Sequence, residues 1–414
     1  LKAKAEKMKA RAARLRTETG RKRCLEFAKT NLESPLAIAG DEIDRDPWSL
    51  PMANGVVDLR TGEIRPGRPD DWLVRSSPVE WQGIDAPCPH WEHFVTEIMG
   101  DDPEMAAFLQ RVFGYGVTGL AREHIFLVLF GRGRNGKSIM TEVIQTALGG
   151  KHAATTLAGP VQSEMLLDQG KNRNAAGPSP DIMSLRGLRM AFASETDEGQ
   201  RFSSTRVKWF SGGDTLIGRY PHDKRNISFE PTHLLVLLTN NKPHASASDF
   251  AFWERLLLVD FPLSFVARKP QNSNERPMDK GLKNRLLQEL PGIMAWLVRG
   301  CLEWQRVGLA PPAKVIDATS AYRRDEDLLA DYIDECCELQ KEGGEELRDT
   351  ATNLYDGFCE WFKLNISAKK TISQKAFGKM MMEKFGRERK GGTYYYYGIR
   401  VSARAQIELD KPDQ

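Results

Sequence analysis

Eight consecutive residues, Gly131-Arg132-Gly133-Arg134-Asn135-Gly136-Lys137-Ser138, carry the strongest chemical signal in the chain. They follow G-x-x-x-x-G-K-[ST], the phosphate-binding loop of nucleoside triphosphatases. Its glycines let backbone N–H groups close around phosphate oxygens, and the helix that follows adds its dipole. Lys137 is the group to reach β- and γ-phosphates, and the Ser138 hydroxyl is the group to hold Mg²⁺. With Ile139, residues 131–139 form the candidate ATP-binding segment. The same stretch contains G-x-G-x-x-G at Gly131, Gly133 and Gly136. That dinucleotide pattern is read as coincidental. A Lys-Ser pair directly after the last glycine serves a triphosphate and metal, and no acidic residue stands out about twenty positions on to take a ribose hydroxyl.

Other polar residues close apolar runs. Residues 190–193 lead into Ser194-Glu195-Thr196-Asp197-Glu198. A carboxylate at the end of a strand near a phosphate loop holds Mg²⁺ through water and polarises the attacking water. Glu195 is the first choice for this role, with Asp197 or Glu198 sharing it; in isolation the segment would be an ordinary charged loop. Leu234–Thr239 ends in Asn240-Asn241, where Asn240 can sense a γ-phosphate or simply suit a turn. Arg255 precedes the last apolar run, where it is either a surface charge or a finger for a neighbouring subunit's phosphate. Residues 212–229 read as a β-hairpin with a polar, basic tip containing His222, Lys224 and Arg225, able to grip a phosphate backbone.

These residues need elements to position them. The runs at 125–130, 189–194, 234–239 and 256–261 read as strands alternating with helical segments, the α/β pattern of a mostly parallel sheet. Residues 138–148 and 282–304 read as helices, and Gly-, Asn-, Ser- and Pro-rich 158–181 as a loop. Before this region come a basic helical stretch (1–30) and a β-rich segment with tight turns (47–84). After Pro311-Pro312 come a helix at 314–339, helices at 352–364 and 374–385, and a strand at 393–401. In that last module Lys375, Lys379 and Lys384 could enter a major groove and Tyr394–Tyr397 could stack on bases; the plainer reading packs alternate tyrosines in a core.

With 414 residues the chain has room for two or three domains. The net charge is only +3, but ten Lys/Arg fall in residues 1–23 and ten in 366–404. Such runs are usually solvated faces; at both ends of a nucleotide hydrolase they favour a polyanionic partner. The six cysteines (24, 88, 301, 336, 337, 359) form no C-x-x-C pair, which argues against a zinc site and for reduced thiols in a cytosolic compartment. No apolar run is long enough to span a membrane, and no secretory signal is visible. The chain begins at Leu1, so a fragment of a longer polypeptide is expected.

The motif order carries a resemblance. The phosphate loop, Ser-Glu-Thr-Asp-Glu-Gly, a Gly-Gly-Asp-Thr hairpin ending Phe-x-Pro-Thr, a strand ending Thr-Asn-x-x-Pro, and Phe-Trp-x-Arg before Leu-Leu-Val-x-Phe occur in sequence across residues 45–265. This resembles superfamily 3 helicases, and specifically phage and plasmid primase–helicases related to the poxvirus helicase–primase. The resemblance implies an AAA+ ATPase using ATP and Mg²⁺, a homo-oligomer that is usually a hexameric ring, moving on single-stranded DNA and opening forked DNA for replication of a mobile element. Lys137, Ser138, Glu195, Asn240 and Arg255 match the phosphate loop, metal carboxylate, sensor and finger; Lys224 matches the hairpin lysine that follows DNA. Where the family often has Trp-Arg-Arg, this chain has Trp253-Glu254-Arg255, leaving one finger candidate. Arg225 also competes with Lys224, because the hairpin tip is slightly long. No primase carboxylate pattern is recognisable, so a primase domain or a loader would be a partner. The implied organisation is an N-terminal helical and β-rich domain (1–92), an ATPase domain (93–310) and a winged-helix-like C-terminal domain (311–414), in the cytoplasm of a bacterial or archaeal host. Two rivals remain: an ATPase that remodels DNA or proteins without separating strands, and a nucleotide-gated DNA-binding initiator.

Overall fold

Five short apolar segments build the central sheet. The computed structural model describes residues 2–30, 43–150, 155–170, 178–194, 199–223, 225–341, 343–344, 346–365 and 372–403. After helices α1 (Lys2–Arg16) and α2 (Glu18–Thr30) comes an antiparallel meander of β1 (Ser49–Met52), β2 (Gly55–Asp58) and β3 (Glu63–Arg65). Helices α3 (Pro89–Ile98) and α4 (Pro103–Gly116) follow. Pro103 occupies the first turn of α4, and the Asp102 carboxylate accepts from the N–H groups of Glu104 and Met105 at 3.0 and 3.2 Å.

The sheet then opens with β4 (Phe126–Phe130), continued by α5 (Lys137–Ala147), β5 (Ala158–Val161), α6 (Pro180–Ser184), β6 (Met190–Ser194) and α7 (Ser204–Ser211). A hairpin of β7 (Leu216–Gly218) and β8 (Ile227–Phe229) precedes β9 (Leu234–Thr239), α8 (Phe250–Trp253) and β10 (Leu256–Asp260). The order is β10-β4-β9-β6-β5, with every pairing parallel. β4 therefore lies where the order reverses, and the crevice at its carboxyl end is where open α/β sheets bind ligands. Side-chain alternation explains the continuous apolar runs. Leu127, Leu129, Met190, Phe192, Leu234 and Val236 join a core with α3, α4, α5 and α10. Phe126, Val128, Ala191, Ala193, Leu235 and Leu237 face the other way, towards α7, α8 and α11.

β5 was expected to be loop. Gly159 and Pro160 hide the strand signal, yet Pro160 is tolerated because β5 is an edge strand. Beyond β10 a small parallel pair, β11 (Ser264–Val266) and β12 (Glu275–Pro277), precedes two helices, α9 (Leu282–Gln288) and α10 (Leu290–Val307). The single helix expected at 282–304 is thus broken at Glu289, since Pro291 cannot continue a helix from its middle but suits the first turn of a new one. α10 crosses α4 closely: a Cβ on Gly300 would lie 2.0 Å from the Gln110 carbonyl oxygen. The β1–β3 meander shares this core through Leu50, Met52, Val57 and Leu59. It is also tied to the sheet by buried Arg189, which donates to the Val117 and Ser49 carbonyls at 2.5 and 2.6 Å.

The expected helix at 314–339 is α11 (Ala313–Asp325), α12 (Leu328–Cys336) and the short β13 (Cys337–Leu339). Asp327 causes the break by capping α12, accepting from Ala330 N–H at 3.1 Å. β14 (Arg348–Thr350), α13 (Ala351–Asn365), α14 (Gln374–Lys384), β15 (Arg387–Lys390), β16 (Thr393–Tyr397) and β17 (Ile399–Val401) complete a terminal module with its own core. The single strand expected at 393–401 is split by Gly398, whose φ of +81° ends the extended run. β15 was not foreseen, because Arg-Glu-Arg-Lys carries no apolar alternation and all four residues are exposed.

Candidate functional site

The local sequence dictates the shape of the phosphate loop. β4, flanked by β9 and β10, ends at the half-buried Phe130, and the chain must turn sharply into α5. Gly133 and Gly136 make that turn with φ of +93° and +89°. At Gly136 a Cβ would also lie 2.5 Å from Ile98 of α3, so the loop sits tight on that helix. Arg134 takes φ +51°, and its carbonyl accepts from Phe265 N–H at 2.7 Å, which fixes the loop's outer side to β11. Asn135 is almost fully buried, and its Nδ2 has no hydrogen-bond partner among the described residues.

Lys137 begins α5 and is 5% exposed. Its Nζ donates to the Gly131 carbonyl at 2.5 Å and to Asn240 Oδ1 at 3.2 Å. Burial without a facing carboxylate pulls the ammonium down to about 8. The register brings Asn240 here: Phe130 pairs with Thr239, so the residue after β9 stands beside the start of the loop. Ser138 is exposed on the first turn of α5, and Arg132 and Arg134 point to solvent at the rim. Ile139 packs partly against the core below. A cradle of turning backbone, a buried cation and an orphaned amide donor suits an anionic, phosphate-rich group.

Glu195, Asp197 and Glu198 lie outside the described residues. β6 ends at Ser194, level with Leu238 and Leu129, so that strand stops at the height of the loop. Lys224 is outside them as well. His222 and Arg225 are exposed on the hairpin tip, His222 at φ +65°. The hairpin is held by Ser179, whose hydroxyl accepts from Arg219 N–H at 2.9 Å, and it feeds through residues 230–233 into the start of β9.

Arg255 is far from Lys137. Its carbonyl accepts from Phe126 N–H at 2.7 Å, so it stands at the beginning of β4 and the loop at its end. Five strand residues separate them, about 16 Å. Its Nη1 donates to the Ala251 carbonyl at 2.6 Å, and its buried Nε has no partner among the described residues. Two residues near the loop escaped the sequence reading. Asp260 pairs with Phe130 at the end of β10; burial raises its carboxyl, opposed by Lys242. Lys242 lies 4.8 Å from the Phe130 ring centre and 5.3 Å from that of Tyr322. Both were legible only as loop or strand-end charges. Among the described residues no cluster of His, Cys, Asp or Glu could hold a metal by itself, and Cys24, Cys88, Cys301, Cys337 and Cys359 are free thiols. No described helix is long and apolar enough to cross a membrane.

Fold and loop together define a mixed α/β protein with a parallel sheet and a phosphate-loop motif at its switch point. Residues 1–100 match the family described as "D5 N terminal like". A protein of Acanthamoeba polyphaga mimivirus, provisionally named a helicase, is 27% identical over 341 residues, covering 79% of this chain and 34% of the relative. One of Frog virus 3, also provisionally named a helicase, is 24% identical over 400 residues (79% and 40%). One of African swine fever virus, provisionally named a primase, is 21% identical over 345 residues (80% and 35%). The solved apo structure of the NrS-1 C terminal region overlaps with a TM-score of 0.41 at 10% identity, covering 80% of this chain and 77% of that one. The chain is thus similar over its first 100 residues to the D5 N terminal like family, and over about four fifths of its length to viral proteins provisionally named helicases or primases. It spans roughly a third to two fifths of the length of the curated relatives it matches.

Proposed function

We propose that the chain is the ATP-dependent motor of a replication helicase: a superfamily 3, AAA+-type ATPase that assembles as a ring, usually of six subunits, and moves on single-stranded DNA. The observation that carries this reading is the buried Lys137 amine, held between Gly131 and Asn240 at the switch point of the parallel sheet. A bound ATP–Mg²⁺ would supply the scissile phosphoanhydride and the metal that offsets its charge. Lys137 and the loop N–H groups would orient the phosphates, Ser138 would ligate the metal, and Glu195, with Asp197, would polarise water. Asn240 would report phosphate occupancy through its existing contact with Lys137.

Arg255 supports a composite site. Its place at the far end of the sheet keeps it from its own phosphates, so as a finger it serves a neighbour. β9 links the two functions: the DNA-gripping hairpin with His222, Lys224 and Arg225 enters its beginning, and Asn240 follows its end. A hairpin tied to a phosphate-sensing strand is a means of coupling hydrolysis to movement along DNA. The C-terminal module is read as winged-helix-like. Forked DNA, a loader and a primase domain elsewhere in the full protein are the proposed partners. The viral relatives named above make a virus as fitting a source as a phage or plasmid of a bacterial or archaeal host.

The test is ATP hydrolysis with and without single-stranded DNA, with unwinding of a forked duplex scored in the same reactions and Lys137→Ala as control. DNA-stimulated hydrolysis with strand separation, both lost in the control, is expected. Hydrolysis without separation favours a remodelling ATPase, and no hydrolysis by a confirmed oligomer favours the nucleotide-gated initiator.

A further inference from the structure

The terminal module holds a charged and aromatic cleft that the motor reading does not use. β15 and β16 form a hairpin in which Arg389 pairs with Tyr394 and Arg387 with Tyr396. Opposed residues of an antiparallel pair share a face, and so do residues two apart. Arg387, Arg389, Tyr394 and Tyr396 therefore project from one side. Tyr396 is fully buried, and its hydroxyl donates to the Gly378 carbonyl at 3.1 Å, which seats the hairpin on α14. Tyr394 lies two residues nearer the Gly391-Gly392 turn, has no such anchor, and remains 40% exposed. The Arg387 guanidinium carbon is 4.3 Å from the Tyr394 ring centre and that of Arg389 is 5.5 Å away. Between this face and the first turns of α14 lies a cleft of about 320 Å³, lined by Gln374, Lys375, Phe377, Gly378, Arg387 and Tyr394.

The charges of this face are not neutralised. Glu388, the acidic residue of β15, is engaged elsewhere, accepting from the Tyr397 hydroxyl at 2.8 Å and pairing with Lys390 at 3.3 Å. Among the described residues Arg387, Arg389 and Lys375 have no carboxylate partner. A half-exposed ring with two guanidiniums over it that have no carboxylate partner, and a lysine across the cleft, combines a stacking platform with phosphate contacts. The volume is at the small end for a ligand site and suits one nucleotide rather than a helix or a protein loop. A duplex hides its base faces, so the platform favours a single strand.

We propose that this cleft binds single-stranded nucleic acid, with a base stacked on Tyr394 and adjoining phosphates held by Arg387, Arg389 and Lys375. The site lies outside the hairpin of the motor reading and needs no nucleotide. It borrows from that reading only the class of partner.

The test is fluorescence anisotropy of a labelled short single strand, and of the matching duplex, with the full chain carrying Lys137→Ala and no ATP. Absence of hydrolysis in the unaltered chain would sink the motor reading without touching this measurement. Tyr394→Ala should weaken single-strand binding about ten-fold, and Tyr394→Phe, which keeps the ring, should stay close to the parent. Arg387→Ala with Arg389→Ala should reduce the salt slope by about one to two. Thermal unfolding of each variant separates lost binding from lost folding. Unchanged affinity in Tyr394→Ala overturns the proposal. So does equal loss in Tyr394→Ala and Tyr394→Phe, and so does duplex binding that depends on Lys379 of α14 and not on Tyr394.

Discussion

A lysine ammonium enclosed without a carboxylate is an uncomfortable group, and Lys137 shows the consequence. Its folded value near 8 lies below the usual 10.5 for an unfolded chain. Below about pH 8 both states carry the proton and the full cost of burial is present. Between about 8 and 10.5 the unfolded chain holds a proton that the folded one has lost, so this residue's contribution to stability improves as pH rises. A triphosphate reverses the local field and restores the charge. ATP binding near pH 8.5 should therefore take up about three quarters of a proton per site, read by calorimetry in buffers of different ionisation enthalpy. Proton-neutral binding would mean that the amine is already charged. By the same logic Lys137→Met removes a cost on the order of 3 kcal/mol, so the nucleotide-free variant should unfold several degrees higher while losing hydrolysis. A lower midpoint would show that the bonds to Gly131 and Asn240 outweigh the desolvation.

At the scale of elements, two helices of the core meet backbone to backbone. Gly114 of α4 and Gly300 of α10 face each other's backbone; a Cβ on Gly114 would fall 2.2 Å from Cys301 N. Backbone cannot move aside as a flexible side chain can, so Gly300→Ala should force the helices apart and lower stability by about 1–3 kcal/mol, seen as a reduced denaturation midpoint. An unchanged midpoint would mean that the two helices part at little cost. This contact was invisible in the sequence, because a glycine inside a helical pattern looks only like a weak helix former. The central strands were legible for the opposite reason. Leu234–Thr239 is buried on both faces, so its apolar run is unbroken and its ends fall where polarity returns. β5 and β15 were missed because Pro160 and four exposed charged residues give no such run. The breaks at Glu289, Asp327 and Gly398 depend on single capping or kinking residues, which periodicity averages away. In the site, the motif located Lys137, but only the strand register showed that Asn240 touches it.

For the whole molecule, the separation of Arg255 from its own loop is the most consequential distance. β10 and β4 pair in parallel and in register, so no side-chain rotation carries Arg255 to the carboxyl end of the sheet. If Arg255 acts in hydrolysis, every working site needs two subunits, joined head to tail in a closing ring. That arrangement has a signature no single-subunit mechanism shares. Lys137→Ala and Arg255→Ala should each abolish DNA-stimulated hydrolysis alone. Mixed and reassembled, an Arg255→Ala subunit offers an intact loop to the intact arginine of a Lys137→Ala neighbour. Random assembly of equal amounts would then regenerate about a quarter of the sites, and hydrolysis should recover to about that fraction. A mixture as inactive as its components, in rings shown to have exchanged subunits, would place Arg255 outside the chemistry. Its bond to the Ala251 carbonyl would then be structural, holding the entry to β10. The mixture also separates the rival readings, since a binder that merely assembles on nucleotide has no composite hydrolytic site to rebuild.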